Sequence, residues 1–364
     1  MGFHCGIVGL PNVGKSTLFN AITAAGARVA NYPFTTIEPQ VGIVAVPDAR
    51  LDTLATIFNP PKVIPTTIEF VDIAGLVKNA SKGEGLGNQF LSHIREVDAI
   101  VHVVRCFKND DVAHVENDIN PKRDIEIVEA ELLFKDLETV DKKLHEAEKK
   151  AKSGEKKLKQ ECDFYSRLKD HLGAGKLARV FASNEEDREY FHALHLLTEK
   201  PVLYVANVDE DGLTHENEFV RAIRDFAEKN NSVVLVVDAD MEAEIAEMPY
   251  QEREKFLADL GLLESGLDKI IHEGYRLLNL ITFFTHNEKE LRAWTIVRGT
   301  KAPQAAGKIH SDFERGFIRA EVMRYDDLKE LGSEHAVKEK GLLAVHGHDY
   351  AVQDGDVIFF RFNV

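Results

Sequence analysis

Lys15 and Ser16 place a cation beside a hydroxyl, two groups that act together on phosphate oxygens. They close a stretch, residues 9–17, that reads Gly-Leu-Pro-Asn-Val-Gly-Lys-Ser-Thr. Gly9 and Gly14 frame four residues ahead of the lysine, the spacing of a loop whose backbone N–H groups wrap a polyphosphate. On this reading Asn12, Val13, Gly14, Lys15, Ser16 and Thr17 surround the phosphates of a nucleoside triphosphate. Lys15 reaches the β and γ oxygens, and the Ser16 hydroxyl ligates Mg²⁺, a hard cation that prefers oxygen. Charge on a transferring phosphoryl group must be neutralised where it develops, so further oxygen ligands and a γ-phosphate sensor are expected downstream. The segment Asn31-Tyr32-Pro33-Phe34-Thr35-Thr36 offers two threonines, and Thr36 is assigned to the metal. In Asp72-Ile73-Ala74-Gly75, Asp72 holds the metal through a water and the Gly75 N–H bonds the γ-phosphate.

The base-reading element departs from the usual pattern. Guanine-specific proteins of the phosphate-loop class carry Asn-Lys-x-Asp after a late strand, and the Asp carboxylate accepts from N1–H and the exocyclic amine. Residues 207–210 are Asn-Val-Asp-Glu instead. Val208 replaces the lysine, and Glu210 stands where the short carboxylate is expected. The Asn207 amide can still accept from adenine N6 and donate to N7. The expected ligand is therefore ATP at least as readily as GTP, with Asn207, Val208 and Glu210 on the base side.

Elements must hold these groups in place. Residues 3–9 form a short, mostly apolar run that suits a buried first strand, and Lys15 opens a helix whose positive N-terminal end faces the phosphates. Strand-like runs recur at 41–46, 67–73, 99–104, 202–206 and 233–237, between helical stretches. Such alternation predicts a mostly parallel sheet covered on both faces. It breaks between Pro121 and about Glu199, where Ile125, Val128, Leu132, Leu133, Leu137, Val140 and Leu144 recur at steps of three and four. That spacing predicts an antiparallel helical arm inserted in the nucleotide domain, with residues 146–159 as a solvated tip. After about residue 280, short strands are expected at 281–285, 293–297, 316–322 and 357–362, around a helix at 325–331, a small α+β domain.

The 364 residues are enough for two or three domains. A formal net charge of −16 argues against non-specific coating of nucleic acid, so local charge matters more than the total. Between Arg292 and Arg324 seven Lys or Arg face three Asp or Glu, a reversal that marks a polyanion-binding surface. Arg292, Arg298, Lys301, Lys308, Arg315 and Arg319 are the phosphate-contact candidates, with Trp294 or Phe313 able to stack on a base if exposed. Cys5, Cys106 and Cys162 form no Cys-x-x-Cys pair, which fits a reducing cytosol and argues against zinc. No basic leader or membrane-length apolar run stands out, so a soluble cytoplasmic protein with no membrane partner is expected.

Taken together, residues 9–17, 31–36, 72–76 and 207–210 and the stretch 300–310, Thr-Lys-Ala-Pro-Gln-Ala-Ala-Gly-Lys-Ile-His, resemble the YchF family, Obg-related and ribosome-binding ATPases of the P-loop GTPase superfamily. The match runs over essentially the whole chain. It implies an α/β P-loop G-domain over residues 1–120 and 200–280, interrupted by a coiled-coil arm over 121–199 and followed by a β-grasp domain of the TGS type over 281–364. Proteins similar to it hydrolyse ATP slowly and associate with the large ribosomal subunit or the whole ribosome, and RNA or other nucleic acid is expected to bind through the TGS domain and the arm. Ras-like enzymes place Gln after Asp-x-x-Gly to orient water, whereas this chain has Leu76, so slow intrinsic hydrolysis is expected. The family's loop histidine matches His114, which joins Lys15 and Gly75 as a catalytic candidate. Asn12 is similar to the asparagine that holds K⁺ in related NTPases, which suggests stimulation by that ion. Two functions remain open: a Mg²⁺-dependent ATPase acting as a translation- or stress-related switch, and a nucleotide-gated ribosome- or RNA-binding module in which hydrolysis is incidental. A GTP-specific enzyme is disfavoured by Val208 and Glu210.

Overall fold

The computed structural model describes residues 3–24, 28–30, 40–73, 86–109, 118–151 and 155–363. They form two compact units, one of residues 1–44 and 69–270, the other of residues 45–68 and 271–364. The helical insertion therefore groups with the first sheet, and residues 45–68 group with the C-terminal segment.

The first unit is built on a seven-stranded sheet. Its strands are β1 (His4–Val8), β2 (Arg28–Ala30), β3 (Gln40–Ala45), β5 (Thr67–Asp72), β6 (Ala99–Arg105), β7 (Val202–Asn207) and β8 (Val233–Val237). The spatial order is β2-β3-β5-β1-β6-β7-β8. From β5 to β8 every pairing is parallel, and β2 joins β3 antiparallel. β1 is enclosed on both sides, so Cys5, Ile7 and Val8 are completely buried, as a continuous apolar run requires. Burial pushes the Cys5 thiol up to about 12, which leaves it a packing group rather than a nucleophile. β6 is buried at every position, His102 included. Burial, aided by the nearby Arg179 charge, pushes that imidazole down to about 3 and keeps it neutral.

The chain leaves β6 for a long hairpin of helices, Pro121–Ala151 and Lys156–Gly173, before returning to β7. Val140, Leu144 and Ala147 pack against Phe164, Tyr165, Leu168 and Leu172, and Phe191 and Leu194 extend this small core. The base is polar and hydrogen-bonded, although Arg179 Nε is buried without a hydrogen-bond partner among the described residues. Asp136, 1 % exposed, accepts from the Leu197 and Thr198 N–H groups at 2.8 Å each and from the Thr198 hydroxyl at 2.6 Å. Glu129 pairs with Arg179 and accepts from the Tyr204 hydroxyl of β7 at 2.5 Å, tying the arm to the sheet.

In the second unit, β4 (Val63–Ile64), β9 (Leu280–His286), β10 (Leu291–Val297), β11 (Phe317–Arg324), β12 (Ala344–His346) and β13 (Asp356–Phe362) form a sheet in the order β12-β11-β13-β9-β10-β4. The helix Ala302–Ile309 packs Ala302, Ala305 and Ala306 against Ile281, Phe283, Ile296, Val322 and Ile358. The other face packs Phe284, Ala293, Met323 and Val357 against Leu51, Leu54 and Leu328. The helix expected at 325–331 is present over Tyr325–Leu331.

Candidate nucleotide-binding site

The parallel strands deliver their C-terminal ends to one edge. The chain winds from β1 toward β5 on one side and later from β6 toward β7 on the other, so the edge at β1 is a topological switch point, where open α/β sheets bind ligands. The loop after β1 has an unusual backbone. Asn12 has φ 63° and Gly14 φ 92°, and Val13 between them is 1 % exposed. Gly9 lies so close to β6 that a Cβ would stand 2.7 Å from the Val103 carbonyl oxygen. At Gly14 a Cβ would stand 2.2 Å from Asn207 Nδ2, so neither glycine position admits a side chain. The loop ends in the helix Lys15–Ala24, anchored by Leu18, Phe19, Ala21 and Ile22 in the core. Ser16 is exposed at its head, and Lys15 is ion-paired with Asp72 at the end of β5.

Asn207 ends β7 and is 5 % exposed. Its Nδ2 donates to the Val13 carbonyl at 3.0 Å, and its Oδ1 accepts from the Ala239 N–H at 2.9 Å. The side chain expected to read adenine is thus a brace between the phosphate loop and the turn after β8. One Nδ2 hydrogen remains for a base. Val208 is buried, Asp209 caps the short helix Glu210–Thr214 through Gly212 N–H, and Glu210 is exposed. A recess of about 330 Å³ opens beside Glu210, with Leu213, Met241 and Leu262 in its wall.

Two groups absent from the sequence reading also shape the site. Asp238 caps the helix Ala239–Glu247 through the Asp240 and Met241 N–H groups and fixes the turn that Asn207 grips. Its signal was an Asp directly after an apolar run and before a helical one. Arg105, 1 % exposed at the end of β6, donates to the Phe107 and Asn109 carbonyls at 3.2 and 2.9 Å and stacks over the Phe107 ring. Thr36, Gly75, Leu76 and His114 lie outside the described residues.

Ser16 and Asp72 present hard oxygen at the mouth of the loop. Mg²⁺ is commonly held by one or two protein oxygens plus substrate phosphates, and these two residues suit that arrangement. Among the described residues no helix is long and apolar enough to cross a membrane.

Of the C-terminal candidates for nucleic acid, Arg298, Lys301, Lys308, Arg315 and Arg319 are exposed, and several candidates have partners within the chain. Trp294 is partly buried, stacks with Phe283 at 6.4 Å, and donates from Nε1 to Thr285. Phe313 stacks on Phe362 at 3.8 Å. Arg315 pairs with Asp312, Arg319 with Glu321 and Lys301 with Asp349, while Arg292 lies over Trp294. Composition alone could not reveal these partners.

Residues 4–153 match a family described as 50S ribosome-binding GTPase, and residues 280–363 match the YchF-GTPase_C family, described as a protein of unknown function. The chain is 54 % identical over 366 residues to the ribosome-binding ATPase YchF of Bacillus subtilis, with all of both chains covered. It is 52 % identical over 364 residues to the protein of that name from Escherichia coli O157:H7, again with both chains fully covered. The solved structure of the Schizosaccharomyces pombe YchF GTPase superposes with a TM-score of 0.87 at 39 % identity, covering 99 % of this chain and 98 % of that one.

Proposed function

The chain belongs to the YchF family, and from that premise we propose that it is a ribosome-associated P-loop nucleoside triphosphatase that prefers ATP, needs Mg²⁺ and works as a slow, cytoplasmic regulatory switch. The observation that supports this best is the loop at Gly9–Thr17, whose left-handed Asn12 and Gly14 and buried Val13 set its backbone ahead of Lys15. We assign residues 121–199 to an inserted arm and 281–364 to a TGS-type domain on the G-domain formed by 1–120 and 200–280.

Within the site, backbone N–H groups of the loop bind the phosphates and Lys15 exchanges its Asp72 contact for phosphate oxygen. Ser16 and Thr36, with Asp72 through a water, would hold Mg²⁺, which when bound would neutralise charge on the phosphates. Gly75 senses the γ-phosphate, and His114 takes the water-orienting place that Leu76 cannot fill. Asn12 holds K⁺. Asn207, Val208 and Glu210 flank the base. The exposed Glu210 carboxylate, on a longer stem than Asp, relaxes the demand for guanine.

One set of assays tests the reading: ATP and GTP hydrolysis with and without ribosomes, in potassium and in sodium. Faster ATP turnover than GTP turnover, stimulated by ribosomes and by K⁺, is expected. Tighter binding and faster turnover of GTP would overturn the base assignment. An unchanged single-turnover rate in His114→Ala would remove that residue from catalysis.

A further inference from the structure

The stretch of chain that carries His114 leaves the sheet at the end of β6 and ends just ahead of the arm, and an arginine stands at each end of it. At the entry, Arg105 is the last residue of β6 and is 1 % exposed. Its guanidinium reaches forward over the outgoing chain. Nε donates to the Phe107 carbonyl at 3.2 Å and Nη2 to the Asn109 carbonyl at 2.9 Å, and the group lies 4.7 Å from the centre of the Phe107 ring. Cys106 is held as well: its carbonyl accepts from Asn217 Nδ2 at 2.8 Å, and its N–H donates to the Asn207 carbonyl at 2.7 Å. The outgoing residues 106–109 are thus tied to their own strand end and to the residue that braces the phosphate loop.

At the exit, Arg123 lies in the first turn of the helix Pro121–Ala151 and reaches back to Asp118. Nη1 holds the Asp118 carboxylate, and Nη2 donates to the Asp118 main-chain carbonyl at 2.7 Å. Nε and Nη2 also donate to Asp124 Oδ1 at 3.3 Å each, and Asp124 is 2 % exposed. Residues 110–117, between the two arginines, lie outside the described residues.

A guanidinium taken out of water is costly unless its donors are met, and apart from His102 the rest of β6 is apolar. A planar fork can span two carbonyls two residues apart, which an ammonium cannot match. With His114 as the water-orienting group, a reading on which this rests, we propose that Arg105 and Arg123 are positioning residues for hydrolysis. They fix where the stretch bearing His114 begins and where it ends, and so the place from which its imidazole acts. Functional groups on loops depend on the frame that holds the loop, and a small misplacement is felt in the rate. The effect of both arginines falls on the chemical step and leaves ATP affinity alone.

The test is a pair of double-mutant cycles in the full chain. Arg105→Lys keeps the charge and loses the fork, and Arg123→Gln changes a side chain that is 28 % exposed, where the fold tolerates it. Each is made alone and together with His114→Ala, and single-turnover ATP hydrolysis, ATP affinity by titration calorimetry and urea unfolding are measured. Alone, each arginine variant should slow the chemical step about tenfold. ATP affinity should stay within about twofold of the parent's, and on the His114→Ala background the further slowing should be less than about twofold. A full loss on both backgrounds overturns the inference and leaves His114 catalytic. Parental hydrolysis in both arginine variants also overturns it, as does lower ATP affinity with an unchanged chemical step. If Arg105→Lys does not fold, the cycle with Arg123→Gln decides alone. If His114→Ala hydrolyses ATP as the parent does, the reading of His114 fails and the positioning role falls with it.

Discussion

The two ends of the nucleotide site are made of different materials. At the phosphate end, position is held by backbone: φ of 63° at Asn12, φ of 92° at Gly14, and Val13 sunk into the core. At the base end, beyond the buried Val208, it is side chains that vary in reach: Asp209 spent on a cap and Glu210 in solvent. Affinity for a triphosphate is therefore inherent in the fold, whereas the choice of base is a local and alterable property. Asn207 spans both ends, because one amide braces the loop at Val13 and the turn at Ala239.

Gly14→Ala should have the largest effect, because the new methyl meets Asn207 Nδ2 and a non-glycine residue resists φ 92°. Misplacing the loop by even an ångström should cost about a hundredfold in turnover with ATP and GTP alike, read by steady-state assays of both. Asn207→Ala comes next. It leaves the Val13 carbonyl and the Ala239 N–H unpaired in a buried place, which costs about 2–4 kcal/mol in urea unfolding. ATP and GTP affinities should fall together in titration calorimetry, and a change in their ratio would make Asn207 a base reader rather than a brace. Glu210→Asp should do the reverse: unchanged stability and phosphate affinity, and a GTP-to-ATP preference raised by up to about tenfold, roughly one hydrogen bond. If it alters turnover of both nucleotides equally, the division between the two ends is wrong.

The smallest effect lies at the far end of β1. His4 meets Glu69 at 3.1 Å and Asp98 at 3.5 Å, and its hydrogen bond to Asp98 lifts its pKa above the ordinary value despite partial burial. A raised histidine contributes stability that is whole below its ordinary pKa and is lost as pH rises through the raised one. The melting temperature should fall slightly over that interval, the fall should vanish in His4→Gln, and nucleotide affinity at neither end of the site should follow it.

What the sequence disclosed depended on whether the determinant was a residue type or a partner. The loop at Gly9–Thr17 was legible because glycine, lysine and serine each do there what few other residues can. Strands at 202–207 and 233–237 were legible as apolar runs between helices. β4, two residues long, and β12, three, carry no such run. The brace at Asn207 was hidden because its partners are backbone atoms 194 and 32 residues away, set only by strand register. The ion pairs of Lys301, Arg315 and Arg319 were hidden for the same reason: a charge count over 292–324 does not show which cations meet a carboxylate.

The joint at Asp136 closes the arm on itself, since one carboxylate on the outgoing helix holds the Leu197 and Thr198 amides of the returning chain. To the sheet, the whole excursion is a connection between neighbouring strands β6 and β7. Matched residues added to or taken from both helices beyond that joint would change the reach by about 1.5 Å for each residue of one helix. The arm is in this sense a ruler, graduated by helix length and fastened at its zero mark.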